Sequence, residues 1–465
     1  MTFRRLLLPI ALLAAFAAQA RTLTFYFYQD DYVPFAEIAT HGARTYVKQL
    51  VLAQDLTPNW RVIPGLMYLA QYEIFGMTPL PMHIAMLALH LGTVALLYRL
   101  IVRTTAHVPA AFAAALIFGV HPTYAGALGQ VATVPHVASA FFLVATLSAI
   151  VECVRATQSR VSNAWLVAAI ALYVLALMSN ESMAIIFPAF GLAFLLLDEQ
   201  PHGRLLRASL RTLPFAVIGF VAVLAVRACD CTEASTVYSF DHAPRVFLIY
   251  SGRLLYPIGL EPPSYIDAPH LYASFALLAL AAWMLAFGPR IGRVGAVWML
   301  LAIVPHIFVE THTANRFTYL ATPGFVMLIA GYIIVLEPGL RRVHLALPAV
   351  LAAAALVLVT PWFAWQTHLQ NEPWQRTTTN WRQLHDEVIR LYPDVPPNSR
   401  VEIVGGPLTH PLDNFFVMPA LAATIWGPTV TLQTFATDDP YVAKLRTTAN
   451  PYVAEYRDGH LVPLR

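Results

Sequence analysis

The sequence predicts an all-α polytopic membrane protein of about eleven transmembrane helices, with a small extracytoplasmic α+β domain at its C-terminal end. Three observations predict it. Of 465 residues, 58% are apolar and 12% charged, against roughly 25% charged in a soluble domain. Mean hydropathy is +0.60. Apolar stretches of about 20 residues, the length that crosses a bilayer, recur from the N-terminus to residue 365. These values exclude a soluble enzyme, a disordered chain and a coiled coil. A formal charge of +3 gives no footing for nucleic acid. The 3 cysteines, Cys153, Cys229 and Cys231, are too few for a disulfide framework or a four-thiolate zinc site. Cys229 and Cys231 stand one residue apart, where a disulfide would be strained; they receive no catalytic role.

In chain order the apolar stretches cover 6–28, 80–102, 108–126, 127–151, 163–180, 182–198, 211–228, 271–288, 293–310, 318–336 and 343–365. The first, with Arg4 and Arg5 before it and Ala18-Gln19-Ala20 within it, also fits a cleavable secretory signal. Its apolar character continues through Thr22–Tyr28, longer than a signal needs, so it is read as a span. Lys and Arg set the orientation. With the N-terminus inside, the short inward segments hold 13 of the 29 basic residues, among them Arg99, Arg103, Arg155, Arg160, Arg290 and Arg293. The outward segments before the tail hold 8, spread over much longer stretches. The N-terminus is therefore read as inside and the C-terminus as outside.

This divides the chain into a membrane domain, 1–365, with outer loops 29–79 and 227–269, and an outer C-terminal domain, 366–465. The first loop holds expected helices around Arg44–Gln54 and Arg61–Phe75, punctuated by Pro58 and Pro64. In the second, Val246–Gly259 is apolar with Arg253 embedded and reads as a helix along the membrane surface. In the tail, Trp381, Leu384, Val388 and Leu391 recur at helical spacing. Val401–Val404 and Thr429–Thr434 read as strands, and Tyr452–Tyr456 with His460–Pro463 flank Asp458-Gly459, a hairpin turn signal.

Candidate chemistry gathers outside the bilayer. Asp30 and Asp31 follow the first span directly. Adjacent carboxylates repel, so one titrates abnormally or is held by a cation. The pair suits a general base, a metal ligand or one of each; the bland alternative is a solvated loop start. Outer cations are few: Arg61, Arg245, Arg253 and Arg316. A guanidinium fork matches phosphate oxygens, and Arg253 and Arg316 lie at headgroup depth, where an interfacial anchor is the competing role. His83, His90, His121, His136, Glu181 and His306 sit in or near spans. Ionisable groups there mark function or helix–helix hydrogen bonds, and no spacing among them resembles a zinc site.

Six blocks in order, "YQDDYVPF", "WRVIPGLMYLAQYEIFGMTPLPMHIAMLALHLGTVALLY", "FGVHPTYAGAL", "LMSNESMAIIFPAFGLAFLLLD", "APRVFLIYSGRLLYPIGL" and "NRFTYLATPGF", cover most of residues 25–336. Together they resemble the membrane glycosyltransferases of the GT-C class, especially protein O-mannosyltransferase-like members that often carry tetratricopeptide repeats. The departures are specific. Asn180 stands where that family usually has Lys, and Asn315 where it often has Glu. "VATVPHVA" replaces a motif ending in a basic–acidic pair, and no repeats follow.

The resemblance implies a polyprenyl-phosphate-linked sugar donor entering from the bilayer and transfer on the outer face. Asp31 is then the base, with Asp30 positioning sugar or arginine, or the two reversed. Arg61, Arg253 and Arg316 are the donor phosphate-binding candidates, and Glu181, His121 and Tyr319 support the site. A divalent metal is an open alternative to an arginine as counter-charge; the sequence requires no cofactor. Donor sugar and acceptor are unnamed by the sequence. The short inward loops fit a bacterial inner membrane, with cytoplasmic N-terminus and periplasmic C-terminus. Two other classes remain as alternatives: a transporter or lipid-carrier flippase, and a GT-C homologue that has lost catalysis.

Overall fold

The computed structural model describes residues 2–52, 61–228, 240–258, 266–308, 314–343, 347–405, 417–447, 449–457 and 460–464. The first half contains α1 (Thr2–Gln19), α2 (Tyr32–Leu52), α3 (Val62–Phe75), α4 (Leu80–Thr105), α5 (Val108–Val120), α6 (Ala125–Gly129), α7 (Val134–Arg155), α8 (Ser159–Leu177) and α9 (Phe187–Leu197). There follow α10 (Arg204–Ala228), α11 (Ala243–Leu255), α12 (Ala268–Phe287), α13 (Arg290–Ile303), α14 (Thr322–Val343) and α15 (Leu347–Leu391). The tail adds β1 (Arg400–Val404), α16 (Met418–Trp426), β2 (Thr431–Phe435), α17 (Tyr441–Leu445), β3 (Val453–Arg457) and β4 (His460–Pro463).

Each apolar stretch read from the sequence coincides with a helix. Among the described residues, 6 helices are long and apolar enough to cross a membrane, and 7 if α5 and the segment Pro122–Gly129, bent by 42°, make one span. Glu181–Leu197 and Thr322–Pro338 are shorter apolar helices. The boundaries differ from expectation where local chemistry intervenes. The first helix gives way to a 3₁₀ turn at Ala20–Thr24 and then to extended chain, so Phe25–Tyr28 lies beyond the helix the sequence extends through it. The bend after α5 falls at His121-Pro122, where His121 takes the extended conformation (φ −64°, ψ 127°) that a following proline favours.

Tight helix pairs are made by glycine. At the α13–α14 crossing a Cβ on Gly324 would stand 2.6 Å from the Gly295 carbonyl oxygen and collide with the Met299 backbone. Where α11 meets α12, a Cβ on Gly252 would collide with the His270 carbonyl. Small residues at crossings are how apolar helices approach closely in lipid.

The expected helix Val246–Gly259 is observed as α11, ending at Leu255; Gly259 lies outside the described residues. It packs on α12, and Val246, Ile249, Tyr250, Arg253 and Leu254 are buried. The tail helix expected around Trp381 is no separate element: α15 continues from 347 through residue 366 to Leu391. The sheet has order β2-β1-β3-β4, with β1 parallel to both β2 and β3 and β4 antiparallel to β3. The Asp458-Gly459 turn, Gln54, Pro58, Cys229 and Cys231 lie outside the described residues. One hydrophobic cluster runs from the bundle through Trp381, Leu384 and Val388 to Val401, Ile403 and Leu421. With α16 packed on α2, the tail sits over the end of the bundle that carries Asp30 and Asp31.

Candidate active site

The acidic pair lies in a 3₁₀ turn, Gln29–Asp31, between extended chain and α2. Gln29 has φ +42°, a left-handed conformation that costs a non-glycine residue roughly 1–2 kcal/mol. The turn directs Asp31 inward: it is 0% exposed. Its Oδ2 accepts the backbone N–H of Tyr28 at 2.8 Å and its Oδ1 that of Ala132 at 2.5 Å. Burial outweighs these hydrogen bonds and pushes the carboxyl up to about 7, with neighbouring Asp30 adding to the rise. Asp30 is half-buried beside it.

The Ala132 contact exposes the organising segment, Gln130–His136, between α6 and the first turn of α7. Next to Ala132, the Val131 carbonyl accepts from the Tyr68 phenol at 3.4 Å, and Asp31, Asp30 and Arg61 all lie within electrostatic reach of that phenol. Gln130, 1% exposed, accepts at Oε1 from Arg316 Nη1 at 3.1 Å. His136 meets the Asn180 amide, Nδ1 to Nδ2 3.1 Å. Its ring centroid is 5.8 Å from that of His306 and 5.7 Å from that of Phe317. His306 stacks on Phe317 at 4.6 Å, and Arg316 lies over the same ring at 5.3 Å. Arg61 and Arg316 both reach His136 and His306 electrostatically. Arg61 pairs with Glu181, Nε to Oε2 3.3 Å and Nη2 to Oε1 3.4 Å.

Asp31, Asp30, Arg61, Arg316 and Glu181 are thus gathered around one segment. His121 and Tyr319 are placed behind it. His121 is buried between Thr123 Oγ1 (2.9 Å) and the Leu254 carbonyl (3.1 Å). Tyr319 hydrogen-bonds His90 Nδ1 at 2.9 Å, and His90 Nε2 meets the Gly119 carbonyl at 3.2 Å. Arg253 is 1% exposed, on the face of α11 that packs inward, and donates from Nη1 to the Ile258 carbonyl.

Sequence reasoning singled out His136 and His306 without joining them to the site, and it missed Gln130, the Ala132 N–H, Phe317 and Tyr68. The change at Asn180 has a local explanation: its Oδ1 caps the following 3₁₀ turn by accepting from the Ser182 N–H at 3.1 Å while its amide faces His136. Among the described residues, no three His, Cys, Asp or Glu side chains gather to hold a metal ion.

A carboxyl that titrates near 7 can take a proton, and guanidinium groups fixed by Gln130 and Glu181 can stabilise an anion.

No family profile matches the chain, and no curated protein matches it. Solved structures do. The chain is similar to ArnT from Cupriavidus metallidurans bound to undecaprenyl phosphate, at TM-score 0.51 and 15% identity, covering 97% of this chain and 89% of that one. It is also similar to the archaeal oligosaccharyltransferase AglB from Archaeoglobus fulgidus, in complex with an inhibitory peptide and a dolichol-phosphate. There the TM-score is 0.55 and identity 11%, over 92% of this chain and 64% of that one. The apo form of the Archaeoglobus enzyme gives TM-score 0.53 at 11% identity, over 94% and 65%. At these identities the likeness shows the fold: a multi-pass membrane protein of the GT-C glycosyltransferase architecture.

Proposed function

We propose that this protein is an integral membrane glycosyltransferase that moves a sugar from a polyprenyl-phosphate donor to a hydroxyl on the outer face of the membrane. The observation that carries the reading is Asp31: a fully buried carboxyl near neutrality, hydrogen-bonded to the segment whose Gln130 holds Arg316. The fold similarity to proteins solved with undecaprenyl phosphate or dolichol-phosphate supports a lipid-linked donor.

Ionised Asp31 accepts the proton of the acceptor hydroxyl as its oxygen attacks the anomeric carbon. The bond from that carbon to the phosphate oxygen breaks, and the electron pair leaves with the polyprenyl phosphate. Arg316 stabilises the charge that develops there, with Arg61, oriented by Glu181, as the second cation. Asp30 positions the sugar or a guanidinium. Arg253 acts through the chain it pins at Ile258, and His121 and Tyr319 brace the segments behind the site.

In this reading all eleven apolar helices count as crossings and the chain divides at residue 365. Asp31 and the tail face the periplasm of a bacterial inner membrane, and the O-mannosyltransferase-like branch is its relative. The test is release or transfer of label from polyprenyl-phosphate-linked sugars by purified protein, with Asp31→Asn and Asp30→Asn variants, each with and without EDTA. Turnover lost in Asp31→Asn supports the reading. Full turnover in both variants moves the site elsewhere, and absence of both turnover and donor binding favours a transporter.

A further inference from the structure

Helix α15 carries two features that the proposed reaction leaves unused. Half-buried Trp374 meets Tyr28 edge-to-face, ring centroids 5.2 Å apart at 77°, and it is the Tyr28 backbone that donates to Asp31. The same indole lies over α6. A Cβ on Gly126 would stand 3.2 Å from Trp374 Cζ2 and 3.9 Å from Arg316 Cβ, and one on Gly129 3.9 Å from Trp374 Cδ2. The indole therefore bridges from the acidic turn to the backbone beside Arg316, and Gly126 leaves the room for it. One turn earlier on α15, Asn371 is 0% exposed, and neither its Nδ2 nor its Oδ1 has a hydrogen-bond partner among the described residues. A buried carboxamide with unmet capacity is costly to the fold, and a ligand rich in hydroxyls would meet it.

What lies between the base and the cation that holds the leaving phosphate is the glycosyl group in transit. A pyranose offers an apolar face of C–H bonds, which packs on an aromatic plane, and a rim of hydroxyls, which need donors and acceptors. We propose that Trp374 and Asn371 form the sugar subsite, the indole carrying the C–H face of the transferred ring and the carboxamide binding its hydroxyls. This rests on the reading of the site as a polyprenyl-phosphate sugar transferase. Both residues position and select the sugar; neither moves a proton.

The test compares dissociation constants of the full-length protein for bare polyprenyl phosphate and for polyprenyl-phosphate-linked mannose and glucose. The expected result is that wild type binds at least one glycosylated lipid about tenfold tighter than the bare lipid. Trp374→Ala and Asn371→Leu bring that ratio close to one and leave affinity for the bare lipid within about twofold, while Trp374→Phe keeps most of the preference. Asn371→Leu removes unmet polar atoms without opening a cavity, so its thermal stability should equal or exceed that of wild type. Three results overturn the inference alone: no sugar preference in wild type, a ratio unchanged in both variants, or an equal loss for both lipids. Failure of wild type to bind either lipid overturns the donor reading and this inference with it.

Discussion

Asp31 is held by two backbone N–H groups and yet remains near neutral, because full burial outweighs them. Its folded pKa is raised, from 3.8 to about 7. The stability linked to this carboxyl is therefore fully present below about pH 3.8 and is lost as pH rises through 7, roughly 4 kcal/mol in all. Activity runs the other way, since a base must be ionised. Transfer at subsaturating donor should rise close to tenfold per unit from pH 5 to 7 and flatten above about 8. Asp31→Asn should lower transfer by at least about 10²-fold, and its melting temperature relative to wild type should improve between pH 5 and 8. A variant that melts progressively earlier than wild type across that range contradicts the burial argument. At Arg316 the planar fork is held by Gln130, so Arg316→Ala should weaken polyprenyl phosphate binding by about 10–100-fold and Arg316→Lys should restore little of it. The adjacent carboxylates were legible in the sequence as an abnormal pair; which of them is buried was not, because the Ala132 N–H lies 101 positions away.

At the scale of elements, apolar stretches and their interruptions translate directly into helices, since backbone groups in lipid must be satisfied within the helix. That is why the order of helices was readable: the helix expected around Arg44 follows a break at Gly42 (φ 74°, ψ 157°) inside α2, while the turns from Tyr32 up to that break were not foreseen. The Asp-Gly turn signal also found its strands, β3 and β4. The gathering of His136, His306, Phe317 and the two arginines was illegible, because it joins four separate segments through side-chain contacts. Asn180 shows the same limit: its role as a cap is local and readable, its bond to His136 is not. Asn180→Ala should cost about 1 kcal/mol through the cap, read in a thermal melt of the detergent-solubilised protein. Gly324→Ala should cost more, about 1–3 kcal/mol, by separating α13 from α14 where the Gly295 carbonyl stands 2.6 Å from the new Cβ.

The whole molecule places its chemistry at one end and a different set of charges at the other. In the last turns of α4 and α7, Arg103 forks onto Glu152 at 2.7 and 2.9 Å, and Arg155 reaches the Arg103 carbonyl at 2.6 Å. The tail packs against α2, which follows the acidic turn directly. Single cysteines at exposed Gln158 and Thr447 should label from opposite faces in intact cells and inverted vesicles; labelling from one face contradicts the topology. The hydrophobic core of the tail is continuous with that of the bundle along α15, which no count of strands in the sequence could show. The central claim is that a buried carboxyl and fixed guanidinium groups transfer a sugar from a lipid phosphate. Its most direct test is turnover of labelled polyprenyl-phosphate sugars by wild type and Asp31→Asn, with lipid binding measured on both. The account predicts transfer or release by wild type, its loss in Asp31→Asn, and polyprenyl phosphate affinity retained in both. Equal turnover by the two proteins, or none by wild type with any donor, would contradict it.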